Sequence, residues 1–229
     1  MRTPTCVLKS IAERAPVLDS DAADVLAWTA ATFRDRWVVA SNMQDAVLID
    51  LAAAVKPNVS VLFLDTGYHF AETIGTRDAV ASVYPDVQIV DAAADQTPAE
   101  QEAWFGPLNR TDPSRCCQLR KVIPLRRALA GYDAWVTGVR RVDSPGRADA
   151  PVVSWDDRHG LVKINPIVAW SDERFDQYVA EHQVLVNPLV AAGYPSIGCA
   201  PCTTRPLPGA DPRSGRWAGL AKTECGLHG

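Results

Sequence analysis

Short apolar runs alternate with amphipathic stretches along most of the chain, which is typical of strands and helices that follow one another. The runs predict strands at 37–40, 59–64, 87–90 and 134–139, and a hairpin or marginal strands at 152–155 and 161–164. Helices are predicted at about 20–34, 46–55, 70–84 and 172–181, with shorter ones opening at Thr97 and Cys116. This order indicates an α/β fold with a mainly parallel sheet flanked by helices on both faces.

Particular residues mark several helix ends. Ser20 and Ser171 stand where N-caps are expected, and Thr97 with Glu100 has the form of a capping box. We expect the helix that begins at Cys116 to be kinked near Pro124. We treat residues 1–229 as a single domain, with a loosely ordered arm at 1–19 and a mobile, Gly- and Pro-rich tail at 203–229.

Polar residues follow two successive strands of the predicted sheet. Ser41 to Asp45 follow the first strand, and Asp65 to Gly67 follow the second. In open α/β sheets ligands bind at the carboxyl ends of the strands, so both loops point to one crevice. The first loop precedes a helix and suits a phosphate, although an ordinary turn explains it as well because it contains no glycine.

Charge and cysteine content narrow the class of protein. The net charge of −4 disfavours a nucleic-acid polymer as partner, but residues 110–147 hold nine Lys or Arg against three acids. A local basic patch on an acidic chain suits a small anionic ligand. No apolar run is long enough for a membrane span, so we expect a cytoplasmic protein whose thiols stay reduced.

Four of the six cysteines form two close pairs, Cys116 with Cys117 and Cys199 with Cys202. Four thiolates at such spacings can bind Zn²⁺ or an iron–sulfur cluster, or simply pack as small apolar groups. Adjacent cysteines fit a cluster better, because each sulfur can then reach a different iron.

A fifth cysteine, Cys225, stands alone near the chain end, with cationic side chains in the same segment. Nearby positive charge favours the thiolate, so Cys225 is a candidate nucleophile, and without a neighbouring cysteine its adducts need an external thiol for release. Arg213 and Arg216 are spaced to grip one oxyanion, and Lys121 follows the first cysteine pair on its helix.

At these motifs the chain resembles the assimilatory sulfonucleotide reductases, in particular the iron–sulfur adenylyl-sulfate (APS) reductases, and among them the actinobacterial members. The resemblance rests on CCQLRKVIPL, LDTGYHF, GVRRVDSPGR, YPSIGCAPCT, DPRSGRW and KTECGLH and spans roughly residues 28–228. It implies an adenine nucleotide α-hydrolase-like fold. It also implies a [4Fe–4S] cluster whose ligands are Cys116, Cys117, Cys199 and Cys202.

The resemblance further implies thioredoxin-dependent reduction of APS to sulfite and AMP, on the way to cysteine, through a thiosulfonate on Cys225. It suggests that ten residues bind the substrate: Ser41, Asp45, Leu64, Asp65, Gly67, Lys121, Arg147, Arg213, Arg216 and His228. The small-molecule sulfonucleotide and a thioredoxin-type dithiol would be the partners, without nucleic acid or membrane.

The chain departs from the family pattern in the first loop, where Asn42 replaces a glycine, and at Pro113, where some members carry a histidine. Asn tolerates a left-handed backbone, so a tight loop is still expected. Three alternatives stay open: a reductase of the 3′-phosphorylated substrate (PAPS), an ATP-pyrophosphatase-type ligase or tRNA-thiolation enzyme with a four-cysteine zinc site, and a non-catalytic cluster sensor.

Overall fold

The computed structural model describes residues 3–15, 21–220, 222 and 225–227. Six strands form one sheet: β1 (Trp37–Ser41), β2 (Ser60–Asp65), β3 (Gln88–Ala93), β4 (Ala134–Thr137), β5 (Val153–Asp156) and β6 (Leu161–Ile164). Their spatial order is β3-β2-β1-β4-β6-β5. All neighbours are parallel except β5 and β6, which form the predicted hairpin. The mainly parallel α/β fold is therefore confirmed.

Helices surround the sheet. They are α1 (Thr5–Glu13), α2 (Ala22–Phe33), α3 (Val47–Val55), α4 (Ala71–Val83), α5 (Pro98–Phe105), α6 (Leu108–Thr111), α7 (Pro113–Cys117), α8 (Ile123–Leu129), α9 (Asp172–His182) and α10 (Pro188–Ala191). Within the described residues, none of them is long and apolar enough to cross a membrane.

Alternate residues of the central strands face two different apolar clusters. Trp37 and Val39 of β1 belong to the larger cluster, together with residues of α2, α3 and α9. Val38 of β1 and Trp135 of β4 belong to the smaller cluster, which Leu125 and Leu129 of α8 complete. Because both faces are covered, β4 is buried along its whole length, as expected for an inner parallel strand.

The N-terminal arm differs from the prediction. Residues 5–13, expected to be loosely ordered, form α1, which contacts β5 and β6 and buries Leu8. Leu8, Ile11 and Ala12 have the i, i+3, i+4 spacing of one helix face, and all three join the larger cluster. That cluster holds the helix against the sheet. The predicted cap at Ser20 lies outside the described residues, whereas the caps at Thr97 and Ser171 are confirmed.

A widened turn joins α7 to α8. Residues Gln118–Val122 form a π-helix, in which Ile123 N donates to Gln118 O. Pro124, near which we expected a kink, follows immediately and has no N–H to donate to the carbonyl four residues earlier. Single π-turns of this kind are frequent at functional sites, and this one carries Arg120 and Lys121.

The sheet order places a topological switch between β1 and β4. The chain leaves β1 towards β2 on one side, and β4 pairs with β1 on the other. In such sheets the loops at the carboxyl ends of the two central strands separate and leave a crevice. The predicted crevice therefore lies beside Ser41 and the loop that follows β4.

Candidate active site

The loop after β1 is fixed to the segment that leads into Cys199. Gln44 Oε1 accepts a hydrogen bond from Ile197 N at 2.9 Å, and Gln44 Nε2 donates to Pro195 O at 3.2 Å. Asn42 Nδ2 donates to Ile197 O at 3.4 Å. These bonds join residues more than 150 positions apart in the chain, so the crevice and the second cysteine pair share one wall.

The same loop makes its tight turn at a different residue from the one expected. Met43, and not Asn42, has the left-handed conformation, with φ at 58°. Met43 N donates to Ser41 Oγ at 3.1 Å, and Gln44 N donates to Asn42 Oδ1 at 3.2 Å. The Met43 side chain is fully buried, which holds this less favoured backbone in place. Side-chain hydrogen bonds thus shape the loop without a glycine.

Asp45 ends this loop at the start of α3. Its Oδ1 accepts a hydrogen bond from Val47 N at 3.1 Å. Burial raises the pKa of the carboxyl to about 6, although the bond to Val47 and the charge of Arg140 act in the opposite direction. The carboxyl lies deep in the crevice, while part of the residue remains open to solvent.

The loop after β2 forms a second wall. Asp65 Oδ1 accepts from Gly67 N at 2.8 Å, and His69 Nε2 lies 2.9 Å from the carbonyl oxygen of Leu64. Gly67 has φ at 69°, and a Cβ there would lie 2.7 Å from Cγ of Pro98. This position therefore requires glycine both for its backbone and for its space. Leu64, Asp65 and Gly67 all lie in or next to this loop.

All four paired cysteines line one cavity. The first pair is buried at the junction of α7 and the π-helix, and the second pair, at the 3₁₀ turn of residues 200–202, is half-buried. The cavity is lined by Tyr68, Asn109, Pro113, Cys116, Cys117, Arg120, Lys121, Cys199, Pro201, Cys202 and Trp217. All six cysteines of the chain are free thiols. The fold therefore brings together the two pairs that are 82 residues apart between Cys117 and Cys199.

Donors that lack an internal partner surround these thiols. Arg120 Nη2, Arg216 Nε and Trp217 Nε1 are buried and have no hydrogen-bond acceptor among the described residues. A buried donor without an acceptor is costly, so such a group indicates an acceptor that the polypeptide does not supply. Sulfur atoms held between the cysteines would be acceptors of the right kind.

Burial favours the neutral form of three of these thiols, those of Cys116, Cys117 and Cys202. Burial raises the pKa of Cys117 and of Cys202 to about 11, although the charge of Lys121 acts to lower both. Burial likewise raises the pKa of Cys116, and a charged Cys199 would raise it further. Because thiolates are the ligand form, a positive metal centre would have to draw off these protons on binding.

The four thiols do not form a site for a single metal ion. Among the described residues, no three His, Cys, Asp or Glu side chains are close enough together to hold a single metal ion. The four sulfurs instead stand around the walls of the cavity.

The tail returns to the cavity through Arg216. Trp217 N donates to Cys202 O at 2.9 Å, and Thr203 pairs with Arg216 in an isolated antiparallel bridge. Arg216 Nη1 donates to Ser196 Oγ at 3.3 Å and to Ile197 O at 3.2 Å. The guanidinium lies directly over Gly198 and fills the space that a side chain would need.

Cys225 lies in the same electrostatic environment. Burial acts to lower the pKa of Lys121. The negative charges of Cys199 and Cys225 help to raise it, and the net shift is upward. Burial lowers the pKa of Arg216, and the negative charge of Cys225 acts to raise it. The positive charge of Arg213 acts to lower the pKa of Arg216 further. Lys121 lines the cysteine cavity, and Gly226, the residue after the predicted nucleophile, lies beside Val122, the residue after Lys121. His228 lies outside the described residues.

Arg147 belongs to a neighbouring group of charges. Its Nη1 bonds to Asp143 Oδ2 at 3.0 Å, and the other oxygen of Asp143 lies 3.1 Å from Arg140 Nη2. Arg140 also influences Asp45 across the crevice. This group follows β4, on the side of the crevice opposite the loop after β2.

Several residues of the site were missed in the sequence. Arg120 is buried and donates to Gln101 Oε1 at 3.0 Å and to Thr66 O at 3.2 Å. Thr66 Oγ1 in turn accepts from Cys199 Sγ at 3.4 Å, and Gln101 Nε2 lies 3.9 Å from Cys116 Sγ. Arg120 follows Cys116 by four positions, a spacing that could have indicated it. Thr66 and Gln101 had no such signal.

Comparison with known proteins identifies the family. Residues 36–205 match the family described as the phosphoadenosine phosphosulfate reductase domain. The chain belongs to the phosphoadenosine phosphosulfate reductase family. The resemblance inferred from the motifs is therefore confirmed, and the family is one of oxidoreductases that act on sulfur groups.

Relatives cover nearly the whole chain. It is 62% identical to a protein of Mycolicibacterium smegmatis and 60% identical to one of Rhodococcus opacus, both named adenosine 5′-phosphosulfate reductase. Each alignment covers 96% of this chain and 94% of the relative. Both sources are actinobacteria, as the motifs suggested.

Solved structures confirm the fold of this family member. The phosphoadenylyl-sulfate (PAPS) reductase of Candida auris, solved with phosphate, superposes with a TM-score of 0.71 at 26% identity over 87% of this chain and 97% of that one. The FMN adenylyltransferase of Candida glabrata superposes with a TM-score of 0.56 at 13% identity over 88% and 73% of the two chains, which shows the shared fold alone. The adenine nucleotide α-hydrolase-like fold is confirmed.

Proposed function

We propose that the chain reduces adenosine 5′-phosphosulfate to sulfite and AMP, with a thioredoxin-type dithiol as reductant, in assimilatory sulfate reduction towards cysteine. The observation that carries the proposal is a cavity lined by Lys121 and four cysteines, with the tail segment around Cys225 contacting Ser114 and Val122 of the helix that forms one of its walls. The names of the actinobacterial relatives support the substrate. A single domain acting in the reducing cytoplasm fits the six free thiols.

We infer that Cys116, Cys117, Cys199 and Cys202 hold a [4Fe–4S] cluster. The donor set fits, because four thiols on the walls of one cavity can each bind a different corner of a cluster. The buried donors of Arg120, Arg216 and Trp217 would gain sulfur acceptors. When bound, the cluster supplies a fixed charge that polarises the site next to Lys121, and we assign it no transfer of electrons.

In the first step the Cys225 thiolate attacks the sulfonate sulfur of the substrate. An S–S bond forms, the bond between sulfur and the bridging oxygen breaks, and AMP leaves with the electron pair. The approach of one anion to another is unfavourable unless cations offset the charge. In this proposal Lys121, Arg213 and Arg216 supply that offset, and His228 is a fourth contact.

The nucleotide end is assigned to the crevice between the loops. Ser41 and Asp45 border the phosphate, Leu64, Asp65 and Gly67 hold the adenosine, and Arg147 closes the side after β4. The contacts between Gln44 and residues 195–197 support this arrangement, since they place the nucleotide loop and the cysteine segment on one rigid wall.

In the second step a thiolate of the external dithiol attacks Sγ of Cys225 and expels sulfite with the electron pair of the S–S bond. The second thiol of the donor then displaces Cys225 and leaves the donor as a disulfide. The two electrons that reduce the sulfur come from the dithiol. The proposal needs an external donor because the four cavity cysteines are assigned to the cluster and Cys6 lies in α1.

The leading alternative is a PAPS substrate, because the structural neighbour from Candida auris is a PAPS reductase. The four cavity cysteines favour APS, since most PAPS reductases are expected to lack them. The ligase alternative has less support, because the loop at 41–45 lacks the Ser-Gly-Gly motif of such enzymes.

Activity of the anaerobically purified protein tests the proposal. With thioredoxin and a thioredoxin-regenerating system, we expect release of sulfite and AMP from APS, with a much lower kcat/KM for PAPS. Cys225→Ser should release neither product, while the visible absorption of a cluster remains. Equal turnover of both nucleotides would contradict the substrate assignment, and sulfite release by Cys225→Ser would contradict the nucleophile.

A further inference from the structure

The turn between β5 and β6 touches the tail segment that carries Cys225. Arg158 Nη1 donates a hydrogen bond to the backbone oxygen of Gly226. The next residue, Leu227, packs against the smaller apolar cluster, which includes Trp135 and Leu161. Residues 226 and 227 are thereby attached to the body of the protein immediately after the proposed nucleophile.

The tail also follows the helix that carries the first cysteine pair. Lys222 Nζ donates to Ser114 Oγ in α7 at 3.2 Å. A Cβ at Gly226 would lie 3.9 Å from Cγ2 of Val122 in the π-helix. Between these two contacts, Cys225 acts electrostatically on Cys117 and on Lys121. The described tail residues thus run beside the helix from Ser114 to Val122 and end at the β5–β6 turn.

The turn itself is rigidly organised. Asp156 accepts from His159 N at 3.1 Å and lies 2.8 Å from His159 Nδ1, while Gly160 N donates to Asp156 O at 2.7 Å. The His159 ring is buried against Trp135, with 5.4 Å between ring centroids. With His159 directed inward, Arg158 is exposed and reaches the tail.

We propose that the β5–β6 turn positions the catalytic tail, with Arg158 as the positioning residue and the Leu227 contact as its apolar partner. The inference rests on the proposed function of Cys225. Arg158 donates to a backbone carbonyl, so it fixes the path of the chain one residue beyond the nucleophile without contacting the substrate. A single exposed hydrogen bond and one half-buried side chain also allow release, which the second step requires for the external dithiol to reach Cys225.

Reactivity of the Cys225 thiol in the free enzyme tests the attachment directly. Trypsin cleavage after Lys222 yields residues 223–229, which contain no other cysteine, so iodoacetamide labelling of Cys225 can be followed by mass spectrometry. Loss of one such hydrogen bond in Arg158→Ala should raise the labelling rate by about threefold to tenfold. Leu227→Ala should raise it similarly. Arg126→Ala, at an exposed arginine on α8, is the matched control and should label as the wild type does.

The rate of adduct formation on Cys225 distinguishes a positioning role of Arg158 from a general loss of structure. In single turnover with saturating APS and no reductant, Arg158→Ala should form the Cys225 adduct about threefold to tenfold more slowly. APS affinity should be unchanged, because Arg158 does not contact the nucleotide loops. Arg158→Lys, which keeps a donor, should recover part of the rate.

The labelling and adduct measurements test the positioning role and the proposed function separately. Unchanged labelling and adduct rates in Arg158→Ala and Leu227→Ala would overturn the positioning role while leaving the proposed function intact. Absence of any adduct in the wild-type protein would overturn the proposed function, yet the labelling rates would still decide whether the turn holds the tail.

Discussion

Gly198→Ala should damage catalysis without unfolding the protein, because the space at Gly198 is occupied by the guanidinium of Arg216. A Cβ at this position would overlap the guanidinium, and even Nε of Arg216 would lie only 2.8 Å away. Ordinary contact between such atoms requires about 3.5–4.0 Å, so the guanidinium must move by roughly 1 Å or more. It would then lose its bonds to Ser196 Oγ and Ile197 O.

The magnitude follows from which atoms move. The overlapping group is the end of a flexible side chain, so the cost to folding is limited to two hydrogen bonds, about 1–3 kcal/mol. For the proposed reaction, a misplacement of about 1 Å can cost on the order of 100-fold in rate. We therefore expect kcat/KM for APS to fall about 100-fold, close to the effect of Arg216→Ala, while most of the folding free energy remains.

Two other glycine variants serve as controls, one with free space at the Cβ position and one with a backbone clash. Gly75→Ala in α4 meets no atom within 4 Å and should leave activity at the wild-type level, while the better helix former raises the unfolding free energy by about 0.5–1 kcal/mol. Gly215→Ala would overlap the backbone oxygen of Thr204, which cannot rotate away, so it should lower stability as well as activity. The assays are sulfite release and denaturant unfolding on all variants. Wild-type kcat/KM in Gly198→Ala, or a loss of activity fully explained by unfolding, would refute the reasoning.

Three further predictions concern charge and capping. Lys121→Ala should keep cluster absorption but lower kcat/KM by about 10- to 100-fold, because a buried charged partner of the substrate is lost; an unchanged rate would contradict this role. Asp45 has a pKa raised to about 6, so its ionisation between about pH 4 and 6 opposes folding by at most about 3 kcal/mol. Asparagine carries no such charge, so the unfolding free energy of Asp45→Asn relative to that of the wild type should increase as the pH rises from 4.5 to 7.5, as measured by urea unfolding. Equal pH dependence of the two unfolding free energies would contradict the raised pKa of Asp45. Thr97→Ala removes the capping box of α5 and should cost about 1 kcal/mol of unfolding free energy, with Ser82→Ala on the exposed face of α4 as the control.

The strands and the longer helices were predictable because their apolar periods are local properties of the sequence. Val38 and Val39 of β1 face opposite clusters, as a strand buried on both faces requires. The short helix α1 was missed because its apolar face contains few residues and gains its order from the sheet beneath it. Such packing against distant strands cannot be read from the local pattern of apolar residues.

The site was predictable where residue type alone indicates the chemistry. Cysteine pairs and clustered cations are recognisable in the sequence, and the fold brings four cysteines to one cavity. Partners distant along the chain were not predictable, such as Gln44 with Ile197 or Arg158 with Gly226. The left-handed residue of the first loop was also missed, because burial of Met43, and not its own preference, selects the conformation.

The most direct test of Cys225 as the nucleophile is the intact mass of the enzyme after mixing with equimolar APS in the absence of any reductant. We expect one added SO₃ group, located on the tryptic peptide of residues 223–229, with one equivalent of AMP released. The Cys225→Ser protein should show neither the mass nor the AMP. Steady sulfite production by a wild-type enzyme that never carries this group would contradict the central claim that Cys225 is the nucleophile.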